Sequence, residues 1–129
     1  MGLTTARGIF QVAFHVAGSA AANLSIKWTA PCDCTLLHAS AVGSNDGDAT
    51  ITIGDSADAD EYLQASLVGD SGVPAEFDGD DWYDTAGNQP NPYYPRIADG
   101  TIVAVAVDFD GDGGTAVDDF TLVLTFAPD

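Results

Sequence analysis

The stretch TIVAVAVDFDGDGGTAVDDFTLVLTF, residues 101–126, decides the fold class. Two apolar, β-branched runs, Thr101–Phe109 and Phe120–Phe126, flank the acidic, glycine-rich Asp108-Phe-Asp110-Gly-Asp112-Gly113. In the second run Phe120, Leu122, Leu124 and Phe126 fall at every other position and so share one face. Strict alternation over so short a span is the period of a half-buried strand, not of a helix. The pair reads as a β-hairpin with an acidic tip, the most secure element of the chain.

The same period recurs through the rest of the chain. Phe10, Val12, Phe14 and Val16 alternate with Gln11, Ala13 and His15. Leu24, Ile26 and Trp28 alternate with Ser25 and Lys27, and Pro31 closes that run because proline cannot donate to a ladder. Residues 35–42 form a third run, with Leu37, Ala39 and Ala41 expected on one face and Leu36, His38, Ser40 and Val42 on the other. Ala49, Ile51 and Ile53 belong to a fourth, and the turn-forming residues 43–48 suggest a hairpin between the third and fourth. Glu61–Leu67 suits a short helical turn, Tyr62–Val68 a strand as the alternative, and Ala75–Phe77 a brief strand. Residues 78–95 make a long segment of Asp, Asn, Gly, Pro and aromatics. Several short strands broken by turn signals predict an all-β, antiparallel β-sandwich, jelly-roll-like or immunoglobulin-like. A chain of 129 residues is expected to be one domain, with an extended N-terminal arm over residues 1–8.

Charge narrows the function. Three basic residues, Arg7, Lys27 and Arg96, stand against 20 acidic ones, for a net charge of −17. Nucleic acid and anionic membranes both need a positive footprint, so neither is expected as a partner. No apolar run approaches the ~18–20 residues that span a bilayer, and the N-terminus lacks a signal-peptide pattern, so synthesis in the cytosol is expected. Almost all the acid is aspartate, a turn residue, which puts the charge in loops. Cys32 and Cys34 form a CxC; alternate strand residues point the same way, so a mutual bridge is disfavoured and inert thiols are expected.

Three constellations invite chemistry. Asp108, Asp110 and Asp112, with Asp119 at the twelfth position, match the spacing of an oxygen-coordinated calcium loop, although the flanks are strands and the twelfth residue is not glutamate. Calcium is therefore the one cofactor to test, and a solvated acidic tip that discourages edge pairing is the alternative. The acidic groups near residues 55–61 and 78–84 offer carboxylates in no defined pair. No nucleophile motif, P-loop or dinucleotide fingerprint occurs, so no catalytic residue and no enzyme activity are expected. Trp82, Tyr83, Tyr93 and Tyr94, in the long segment, are the candidate partner-binding anchors, together with Arg7 in the N-terminal arm.

The order Trp28-Thr-Ala-Pro31-Cys-Asp-Cys-Thr-Leu36, then Asp48-Ala-Thr-Ile-Thr-Ile-Gly54, then Ser56-Ala-Asp-Ala-Asp-Glu-Tyr-Leu63, then Pro95-Arg-Ile-Ala-Asp-Gly-Thr101 resembles small β-rich virion proteins of tailed bacteriophages, of the capsid decoration or cement type. The likeness is one of composition and order from about Trp28 onward. It implies a sandwich on the outer capsid surface, bound to the major capsid protein, synthesised in the host cytoplasm and homo-oligomeric, with a trimer favoured. It transfers no catalytic residue. A carbohydrate-binding or adhesion module on a virion tail or cell surface, using the same aromatics, is the alternative.

Overall fold

The computed structural model describes residues 8–82 and 94–129. They form nine strands: β1 (Phe10–Ser19), β2 (Leu24–Thr29), β3 (Cys34–Val42), β4 (Thr50–Asp55), β5 (Leu63–Leu67), β6 (Ala75–Phe77), β7 (Arg96–Ile97), β8 (Ile102–Asp108) and β9 (Asp118–Pro128). No helix among the described residues is long and apolar enough to cross a membrane. One sheet runs β1-β9-β3-β6, with β7 also on β3; the other runs β2-β8-β4-β5. All strand pairings in both sheets are antiparallel. The expected all-β, antiparallel sandwich is the observed one.

The pairings are nested: the first strand with the last, β2 with β8, β3 with β6 and β7, β4 with β5. The chain is a long ribbon doubled back once between β4 and β5 and then rolled, so that successive pairs fall in alternate sheets. This is the jelly-roll solution to the edge-strand problem. It settles the choice the sequence left open between jelly-roll-like and immunoglobulin-like.

That winding overturns both expected hairpins. β8 lies between β2 and β4, whereas β9 lies between β1 and β3, so residues 109–117 cross from one sheet to the other. Residues 43–49 likewise cross between β3 and β4. The alternating pattern fixes which face of a strand is buried; a crossing between sheets keeps the same face inward as a hairpin does. The two crossings are held by each other. Asp48 N–H donates to the Thr115 carbonyl (2.8 Å), and the Asp48 carboxylate accepts from Thr115 N–H (2.7 Å). Asn45 donates to the Ala116 carbonyl (2.8 Å) and accepts from Asp118 N–H (2.9 Å).

The core lies between the sheets. Ile51 and Ile53, Val103, Val105 and Val107, and Phe120 through Phe126 at alternate positions are essentially inaccessible. Each such side chain contributes about 1.5–3 kcal/mol on leaving water. β3 departs from the expected phase. A bulge between Leu36 and His38 shifts its register against β9, so Leu36 joins Ala39 and Ala41 in the core, while Leu37 and His38 are only partly buried. Residues 61–67 resolve in favour of a strand, β5.

Candidate functional site

The aromatic segment has a defined place in this topology. β6 pairs with Ala39–Ala41 of β3, and β7 with Cys34 and Thr35 of the same strand, along the edge that β9 does not occupy. β6 and β7 are thus two halves of one interrupted edge strand. Residues 78–95 leave the sheet at one half and return at the other, where Leu36 N–H donates to the Pro95 carbonyl (2.9 Å). The exit is a short 3-10 turn, Gly79–Asp81, in which Asp78 N–H donates to the Asp81 carboxylate (2.9 Å).

The four aromatic anchors do not share an environment. Trp82 is 0% exposed, and its indole N–H has no hydrogen-bond partner among the described residues. A ring with no accessible surface cannot stack on a sugar or anchor a partner, so Trp82 belongs to the core. Tyr94 is 41% exposed and remains available. Tyr83, Tyr93 and Arg7 lie outside the described residues. Arg96, on β7, is ion-paired with Asp129 and shares a shallow cleft with Asp33, Ile97 and Ala98.

Three of the four carboxylates of the suspected calcium loop accept hydrogen bonds from the chain itself. Asp108 and Asp110 both accept from Asp112 N–H (3.3 and 3.1 Å). Asp119 turns away, accepting from Gly18 N–H (2.8 Å) and the Ser44 hydroxyl (2.9 Å). Those bonds, the Gly18 one foremost, hold its pKa below the usual carboxylate value. Among the described residues no group of three or more His, Cys, Asp or Glu side chains is arranged to hold a metal ion. The glycine between Asp110 and Asp112 has a steric reason instead. Gly111 has φ +63°, and a Cβ there would lie 2.1 Å from the Asp48 carbonyl oxygen.

Other acidic groups face one another. Asp46 and Asp70 share a side-chain hydrogen bond that raises the pKa of Asp46. Asp58 and Asp60 do the same, lowering Asp58 and raising Asp60. His38 and Glu76 approach to 3.3 Å across β3 and β6. His15 contacts the Thr121 hydroxyl (2.8 Å) on the wet face of β1 and β9. Both cysteines are free; Cys34 is fully buried and burial pushes its thiol up to about 11, which keeps it protonated and inert.

Sequence reasoning missed Asp48 and Asn45, which tie the two crossings together. Their partners lie about seventy residues away along the chain, beyond the reach of any local signal.

No family model matches the sequence, and no curated protein matches it. Among solved structures, a chain of the cyanophage Pam1 capsid asymmetric unit superposes with a TM-score of 0.56 over 96% of this chain and 86% of that chain, at 15% identity. At that identity the likeness is one of fold, and it extends over nearly the whole sandwich.

Proposed function

We propose that this chain is a structural, non-enzymatic protein of a tailed-phage particle, a decoration or cement protein that binds the major capsid protein on the outer shell and reinforces it. The observation that carries the proposal is the fold likeness to a chain of a phage capsid unit, which extends over 96% of this chain and 86% of that one. Two features support it. Cys34 is buried, and burial pushes its thiol up to about 11, which keeps it protonated. A net charge of −17 keeps the protein soluble before it assembles on a shell. The segment 78–95, anchored at both ends on β3, is the docking element, with Tyr94 as its exposed aromatic. The carbohydrate-binding alternative loses Trp82 to the core.

The test is co-sedimentation of the purified protein with empty phage shells that lack an outer decoration. Binding at saturating, shell-wide copy number, with increased resistance of the shell to heat, is expected. Replacing residues 83–94 by a short Gly/Ser linker, which spares the buried Trp82, should abolish binding while leaving the far-UV spectrum unchanged. Failure of the unaltered protein to bind any shell overturns the proposal; unchanged binding by the linker variant moves the docking face elsewhere.

A further inference from the structure

We infer that two copies of this chain join through the free edge of β1, antiparallel to each other about a two-fold axis, so that their larger sheets become continuous. Among the described residues β1 pairs with β9 alone, and no described strand pairs with its other edge. The strand is ten residues long, about 33 Å, and contains no charged residue and no proline. The remaining sheet edges are protected: β2 is six residues with Lys27, β5 is five residues, and β6 is three residues with Glu76. Short length or a charge blunts an edge; a long neutral edge is a template for another strand.

Charge distribution selects the occupant. No Asp or Glu precedes Asp33, so all 20 acidic residues lie in positions 33–129, where Arg96 is the one basic residue. β1 and β2, both within the acid-free part, are the facing edges of the two sheets, in contact through Phe10 and Trp28 at 5.9 Å. On this side the inward residues Val12, Phe14 and Val16 of β1, and Leu24 and Ile26 of β2, stay partly exposed, whereas their counterparts on β8 and β9 are buried. A basic partner would be drawn to the acid this edge lacks, and an acidic partner would want more than the single Lys27 described there. An edge cleared of charge, with an apolar seam beside it, suits a surface of the same kind. Pairing there also holds the acidic remainder of each copy away from the other. A strand edge running antiparallel to itself is self-complementary, which gives a two-fold rather than the three-fold that the family resemblance implies.

This inference does not depend on shell binding and is tested without shells. Light scattering of the full chain in 0.15 M salt should give about twice the 13.2 kDa chain mass at micromolar concentration. Ala13→Asp, at an exposed position on β1, places like charges near the two-fold and should weaken association by roughly tenfold or more without changing the melting temperature of the dilute protein. Hydrogen exchange of the unaltered chain gives an independent readout: β1 amides pointing away from β9 should be protected in concentrated solution and lose protection on dilution. A monomer at all concentrations, a trimer, or a dimer whose β1 amides exchange freely overturns the inference. Protection of β1 that arises only when shells are added also overturns it, and assigns the edge to the shell.

Discussion

Asp119 has a backbone φ of +48° and a carboxylate that accepts from Gly18 N–H and the Ser44 hydroxyl, tying the end of β1 and the β3–β4 crossing to the start of β9. Its pKa in the fold lies below its ordinary value of 3.8. A carboxyl of depressed pKa adds stability that is present above the unfolded value and is lost as pH falls through the folded one. Asp119→Asn keeps the tolerance for left-handed backbone and removes only the charge. It should therefore lower the melting temperature at pH 7, and the difference from the unaltered protein should close as pH drops below 3.8. Asp46 behaves oppositely. Its raised pKa means that the contact with Asp70 is favourable while one proton is shared and is lost as pH rises. Asp70→Asn should raise the melting temperature at pH 7, an increase that shrinks in acid. At Gly111, substitution by Ala meets both a positive φ and the Asp48 carbonyl, and should cost more than about 1 kcal/mol in urea unfolding.

At the scale of elements, strand existence was legible and strand pairing was not. Ala75–Phe77 and the alternating runs that became β1, β2, β8 and β9 could be read because period two survives in any sheet. The hairpins could not. Loops of the length of 43–49 and 109–117 impose no turn geometry on the strands they join, unlike a two-residue turn. The phase of β3 was misread because the bulge at Leu36/His38 leaves no composition signal. The same limit applies to the candidate site. The segment 78–95 stood out by its aromatics, but which of them is buried is decided by the tertiary fold: Trp82 is inaccessible and Tyr94 is exposed, a difference that local sequence does not encode. In the acidic loop that matches a calcium spacing, Asp108 and Asp110 accept from Asp112 N–H, and Gly111 makes room for the Asp48 carbonyl of the other crossing. Melting in millimolar calcium and in excess chelator should give the same midpoint; a rise of several degrees with calcium would show that the loop rearranges to bind it.

For the whole molecule, topology and charge act in opposite senses. The first strand pairs with the last, so the larger sheet cannot close until nearly the entire chain is in place, which predicts slow folding in the millisecond-to-second range. Over the same structure, a net charge of −17 is set against few pairings among the described residues: Arg96 with Asp129, and His38 beside Glu76. The remaining carboxylates sit mainly in loops that meet at the ends of the sandwich, including the paired Asp46 and Asp70. Their mutual repulsion opposes the compact state and acts over a distance set by salt, about 30 Å at 0.01 M and about 3 Å at 1 M. Unfolding spreads the same charges along an extended chain, so screening relieves the folded state more than the unfolded one. Raising sodium chloride from 0.01 to 1 M should therefore raise the melting temperature steadily, and it should speed refolding as well as slow unfolding, because the transition state already gathers most of the chain. A melting temperature that falls with salt would mean that the described ion pairs outweigh the repulsion, which the exposure of both Arg96 and Glu76 argues against.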